Sequence, residues 1–212
     1  MNKLLLSVVI VLSSLFCFIG FLNTNENVPT QQQVQEVTET PIVDKPQIKH
    51  ENKYLFIGDS RFVGMQSSIK TDKNITWIDK VGARHDYYWD NLNSIMQSPK
   101  DTVIIYELGV NDLDANKCLK VLNNLVNNGF TNVYFLTTTP VDDYVVRTHG
   151  YSVNNRQISE FNSKVINNIP KGVKVIDCYS YLQSVGINTD DGLHYTSNTY
   201  NKWFKYILDN IS

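Results

Sequence analysis

At 212 residues the chain has room for one domain of ordinary size plus a targeting segment, but hardly for two cores. A hydrophobic fraction of 42%, with 11% aromatic residues, is globular, and a formal net charge of -2 gives no basic footprint, which argues against nucleic-acid binding. The cysteines are Cys17, Cys118 and Cys178, with no Cys-x-x-Cys spacing and no cluster to support a zinc site. Cys17 falls in a leading apolar run, so Cys118 and Cys178 read as two buried thiols, with a disulfide between them as the alternative.

Leu4 to Leu22 is an apolar run without a charge, preceded by Lys3. At about 1.5 Å of rise per residue it is just long enough to cross a bilayer core of about 30 Å. It reads as a signal anchor or a cleaved signal peptide over residues 1–22. The anchor is preferred because the run is long for a signal core and no clean small-x-small cleavage pattern precedes Asn23. Phe16 directly before Cys17 argues against a lipoprotein site. Either reading places the remainder outside the cytoplasmic membrane, with the N-terminal segment as the membrane partner or the protein secreted if the leader is cut. Residues 23–52 then turn to Asn, Thr, Gln, Glu, Val and Pro, including Gln31-Gln32-Gln33. Such a segment cannot bury enough apolar area to offset the entropy of ordering it and reads as a disordered stalk.

From residue 53 onward, short apolar runs alternate with helical patterns. Strands are expected at Tyr54 to Ile57, Ile75 to Ile78, Val103 to Tyr106, Val133 to Thr137 and Val173 to Ile176. Helical spacing appears around Tyr88 to Met96, Cys118 to Val126, Ile158 to Ile169 and Asn198 to Ile211. The alternation predicts an α/β fold: a three-layer α/β/α sandwich on a mainly parallel five-stranded sheet. In such sheets, sites assemble in the loops beyond the carboxyl ends of the strands.

Four features fall on that edge in order. Gly58-Asp59-Ser60 closes the first strand and opens a helix; Gly82 follows the second strand; Gly109-Val110-Asn111-Asp112 follows the third; and Asp191-Gly192-Leu193-His194 precedes the last helix. Each has a bland reading of its own: a helix cap, a turn glycine, a capping pair, an exposed loop histidine. Together, in this order, they resemble the SGNH hydrolases, also called GDSL esterases and lipases, from about Tyr54 to the C-terminus.

The resemblance implies a flavodoxin-like hydrolase fold and ester cleavage through an acyl-serine intermediate, with no cofactor and no metal. Acyl transfer needs a nucleophile, a base, a group to orient that base, and donors for the developing oxyanion. Ser60 takes the first role, His194 the second and Asp191 the third, with Asp190 as a neighbour that could stand in for Asp191. The oxyanion donors implied are the amides of Ser60 and Gly82 and the side chain of Asn111. The family leucine after the serine is replaced by Arg61, which puts a lipid substrate in doubt; a structural ion pair is its preferred reading, and Asp59 reads as a turn residue bracing the loop.

Arg84, Tyr88 and Trp89 follow Gly82 and are candidate substrate contacts, with a buried helix face as the equal alternative for the two aromatics. The long segment from Pro140 to Asn155 reads as a lid or substrate wall, with Arg147 a further candidate contact and His149 another, as well as the rival to His194 as base. The expected function is an extracytoplasmic esterase removing small acyl groups, acetyl foremost, from a cell-surface carbohydrate. The alternatives are an acyltransferase onto a wall or capsule polysaccharide and a non-catalytic glycan-binding module on a hydrolase fold. Oligomeric state is open.

Overall fold

Val103–Glu107, which we label β3, has no residue exposed to solvent, as a strand covered on both faces requires. It is the middle strand of a five-stranded sheet in a computed structural model that describes residues 53–70 and 74–211. The expected leader and stalk lie outside the described residues. With β1 at Tyr54–Gly58, β2 at Ile75–Asp79, β4 at Asn132–Leu136 and β5 at Val173–Ile176, the order across the sheet is β2-β1-β3-β4-β5 and every pairing is parallel. The edge strands β2 and β5 carry most of the partly exposed positions, and the inner strands are mainly apolar and buried.

Alternation along the inner strands sends neighbouring residues to opposite layers. Leu55, Ile57, Ile104, Tyr106, Val133 and Phe135 face one core, and Phe56, Val103, Ile105, Tyr134 and Leu136 face the other. The first core is closed by α2 (Asp86–Asp90), α3 (Leu92–Met96), α4 (Ala115–Asn127) and α6 (Asn155–Asn167), through residues such as Tyr88, Ile95, Leu122 and Phe161. The second is closed by α1 (Ser60–Ser68), α7 (Cys178–Val185) and α8 (Ser197–Asp209), with Phe62, Met65, Leu182 and Trp203 fully buried. Each such side chain contributes about 1.5–3 kcal/mol relative to exposure. The remaining helix, α5 (Asp143–Thr148), belongs to the edge where the strands end.

Strand boundaries agree with the sequence reading to within about one residue, and the three-layer architecture is the expected one. Three elements differ. The pattern at Tyr88 to Met96 is two five-residue helices broken at Asn91. Helix α5 lies inside the segment read as a loop, and α7 was not anticipated. The disulfide alternative fails because Cys118 and Cys178 are free and buried on opposite sides of the sheet, one in each core.

Candidate active site

The sharp turn from β1 into α1 is made by Gly58 and Asp59. Asp59 is the N-cap: its Oδ1 accepts from Arg61 N at 2.9 Å, and its own carbonyl accepts from Val63 N. Ser60 is therefore the first residue of the helix rather than its cap, and its hydroxyl is left for other contacts. That hydroxyl lies 2.9 Å from His194 Nε2. His194 Nδ1 lies 2.6 Å from Asp191 Oδ2. The other oxygen of Asp191 accepts from the backbone amides of Leu193 and His194, both at 2.8 Å.

Partial burial works against the charge on Asp191, but the bond from the His194 ring and the two amides outweigh it and hold the carboxyl at about 2. An ionised Asp191 makes Nδ1 the protonated ring nitrogen of His194, so Nε2 presents a lone pair to the Ser60 hydroxyl. The three side chains are thus aligned for proton transfer from serine to imidazole.

Gly82 sits in the turn after β2 with φ of 72°, a conformation an L side chain rarely adopts, and faces open space. Asn111, from the loop after β3, bridges to that turn by donating Nδ2 to the Ala83 carbonyl at 2.9 Å, and it also donates to Asp59 Oδ2 at 3.3 Å. Both hydrogens of this amide are engaged within the protein, so presenting one to a bound oxyanion means releasing the longer bond to Asp59.

Behind Ser60 lies a buried charge cluster. Asp59, Arg61 and Glu107 are all inaccessible to solvent. Burial raises the Asp59 carboxyl to about 6 against the lowering influence of Arg61, and it pushes Glu107 well above the usual carboxylate range. No ion pair forms between Arg61 and either carboxylate at contact distance. Its Nη1 donates instead to the carbonyl and hydroxyl of Thr139, at 2.8 and 2.6 Å. Burial opposes the charge on Arg61, but Tyr195, Glu107 and Asp59 outweigh it and raise its pKa.

The loops carrying these groups are held to one another. Val110, Val141, Val146, Ile158 and Leu193 form a small apolar cluster joining the loops after β3 and β4, helices α5 and α6, and the His194 loop. Gly192 lets the last of these lie against α5: a Cβ there would stand 2.3 Å from Val146 N, at φ of 83°. The amide of Asp142 closes the contact by donating to the Gly192 carbonyl. Beneath the Gly82 turn, His85 is fully buried, with Nδ1 2.7 Å from the Tyr106 hydroxyl and Nε2 3.5 Å from Asp112 Oδ1. Burial lowers its pKa to about 4, so despite that carboxylate the ring is neutral at physiological pH.

No family model matches the chain, and no curated protein matches it. Solved structures do. A protein from Streptococcus pneumonia provisionally described as a platelet activating factor is 22% identical, with a TM-score of 0.64 over 78% of this chain and 87% of its own. The lipase/acylhydrolase from Enterococcus faecalis is 17% identical, with a TM-score of 0.61 over 76% and 95%. A Slackia heliotrinireducens protein provisionally described as an SGNH hydrolase is 10% identical, with a TM-score of 0.56 over 76% and 99%. The fold is that of the SGNH hydrolases.

Within the SGNH fold the structure sorts the remaining candidates. Tyr88 is fully buried in the core, donating its hydroxyl to Asn124 Oδ1 at 2.7 Å, and Trp89 packs edge-on against it beneath Lys120. Tyr88 belongs to the core and is no substrate platform, whereas Trp89 is half-buried against the same core. Arg84 is exposed beside the Gly82 turn. Arg147 donates Nε to the Asp143 carbonyl, and His149 sets Nδ1 against the Val145 carbonyl, so both are tied to their own helix. His194, not His149, meets Ser60. Asp191 rather than Asp190 holds the ring. Sequence reasoning missed Thr139, Tyr195 and Glu107, which are buried beside the site and carry no motif.

Proposed function

We propose that this chain is a serine esterase that removes small acyl groups, acetyl foremost, from a carbohydrate outside the cytoplasmic membrane. The observation that carries the reading is the continuous Asp191–His194–Ser60 chain, with contacts of 2.6 and 2.9 Å, ending on a serine at the first turn of a helix. Names of proteins sharing the fold, lipase/acylhydrolase and esterase among them, support ester cleavage. A small acyl group suits the depression beside His194, which is about 220 Å³ and lined by Asp190, Asp191, Tyr195 and Thr196. A polar groove of about 580 Å³ beginning at Asp112, next to Asn111, suits a hydroxyl-rich carrier. The extracytoplasmic setting rests on the uncharged apolar run of residues 4–22, read as a signal anchor or a cleaved signal peptide.

In this mechanism Ser60 Oγ attacks the ester carbonyl while His194 Nε2 takes its proton, and Asp191 stabilises the imidazolium that forms. The carbonyl oxygen becomes an oxyanion held by the amides of Ser60 and Gly82 and by Asn111, aided by the positive end of α1. His194 returns the proton to the leaving sugar oxygen. Water then attacks the acyl-serine with His194 again as base, releasing the carboxylic acid and restoring Ser60.

The test is p-nitrophenol release from acetyl and octanoyl esters by the full chain and by Ser60→Ala, together with acetate release from acetylated oligosaccharides. Turnover of the acetyl ester and the acetylated sugar, abolished in Ser60→Ala, is the expected result. Activity surviving the substitution, or confined to the octanoyl ester, would refute it.

A further inference from the structure

The residue following Ser60 and the residue following His194 converge on one anchor. Arg61 Nη1 donates to the carbonyl and the hydroxyl of Thr139. The Tyr195 hydroxyl donates to the Pro140 carbonyl and is hydrogen-bonded to Thr139 Oγ1 at 3.0 Å. The Arg61 guanidinium also lies over the Tyr195 ring, 5.5 Å from its centroid. All of these groups are buried.

The anchor itself is fixed. It follows β4, the strand next to the centre of the sheet, and Thr138 just before it is pinned at both backbone atoms by the Asn162 side chain, at 2.9 Å each. Ser60 and His194 are 134 positions apart and ride on different elements, so no local structure sets their separation. The two spans from the anchor, through Arg61 to Ser60 and through Tyr195 to His194, do set it. A guanidinium suits the task because a single nitrogen, Nη1, reaches both Thr139 oxygens while the plane lies over the Tyr195 ring, and it stays charged where an ammonium would be free to lose its proton.

We infer that Arg61 is a positioning residue for ester cleavage: by gripping Thr139 against Tyr195 it fixes the distance and angle between Ser60 Oγ and His194 Nε2. This rests on the functional reading above, and the groups that face the guanidinium are Asp59, Glu107, Tyr195 and Tyr200. Leucine at this position would leave the Thr139 carbonyl and hydroxyl without the Nη1 donor. In this chain the catalytic geometry is thus built with a charged strut.

The experiment compares Arg61→Lys, which keeps the charge but loses the guanidinium plane over Tyr195, with Tyr195→Phe, which loses only the hydroxyl, and with the double variant. For each full-length protein kcat and KM on p-nitrophenyl acetate are measured per folded molecule, and the His194 ring is titrated by NMR. Each single variant should lose about tenfold or more in kcat at unchanged KM, because misplacement of reacting groups is felt in the chemical step. The double variant should fall no further than the worse single one, because both act on one anchor. The His194 midpoint should move in every variant. Wild-type kcat and an unmoved midpoint in folded variants would overturn the inference. If Arg61→Lys does not fold, Tyr195→Phe decides alone. If Ser60→Ala shows that turnover does not pass through Ser60, the functional reading fails separately, and the His194 midpoint still reads the strut: an unmoved one overturns it.

Discussion

Replacing Asn111 by alanine tests the oxyanion assignment, and the structure sets the size of the effect. Loss of one oxyanion donor typically costs about 2.7–4 kcal/mol in the transition state. Here the Nδ2 amide must first give up its 3.3 Å bond to Asp59, worth about 1 kcal/mol net, so its catalytic contribution sits at the low end of that range. The expected loss in kcat is therefore about a hundredfold at little change in KM. The same substitution strips a donor from the buried Asp59 carboxylate and from the Ala83 carbonyl, which lowers stability by about 1–3 kcal/mol. Steady-state kinetics on p-nitrophenyl acetate alongside urea unfolding separates the two effects. A folded Asn111→Ala protein with kcat within a factor of about two of wild type would refute the donor role, since even a weak charge-assisted bond is worth more than that.

Two further outcomes follow from burial. His85 is held at about 4 in the folded protein against about 6.5 unfolded, so the unfolded chain binds more protons between those values and stability falls as pH drops from about 6.5 to about 4, by on the order of 3 kcal/mol. Asp59, raised to about 6 from about 3.9 unfolded, has the opposite sign, adding stability as pH falls over nearly the same window. Glu107, pushed up by burial, and Asp191, held down, add to the wild-type curve as well, so the difference between proteins is the readout: in urea unfolding from pH 7 to pH 4, His85→Gln should become more stable relative to wild type as pH falls. Parallel curves would contradict the burial argument. Gly192→Ala should lose about 2–5 kcal/mol, combining a positive φ with a Cβ 2.3 Å from the backbone of Val146. Thermal unfolding measures it, and a near-neutral result would mean that the loop and α5 separate easily.

Much of this molecule could be read from its residues because period and position agree. The inner strands are short apolar runs between turn signals, and the groups that meet at the site each sit just past a strand or just before a helix. What escaped was decided by contacts distant in sequence. Helix α5 spans six residues and buries only Val146, too little to leave a periodic trace, and its stability comes from the Asp142 cap and the Gly192 contact. Tyr88 and Trp89 have the same composition whether they line a cleft or a core, and only the position of α4 decides between them. Arg61 read as a departure from a motif because its partners, Thr139 and Tyr195, lie 78 and 134 positions away. Asp59 read as a turn residue, yet its second oxygen reaches the loop after β3.

The arrangement of α1 and α8 side by side has a consequence for truncation of the chain. Gly64 on α1 admits the Tyr200 ring so closely that a Cβ would stand 2.5 Å from its hydroxyl, and that hydroxyl accepts the amide of Tyr195. The earliest helix of the domain is thus braced by the last, and the histidine that must reach Ser60 is carried just ahead of that last helix. Contacts of such long range carry the entropy of closing a large loop. A chain clipped before residue 197 lacks that brace, and with it the helix that closes the second core and steadies the loop carrying the base.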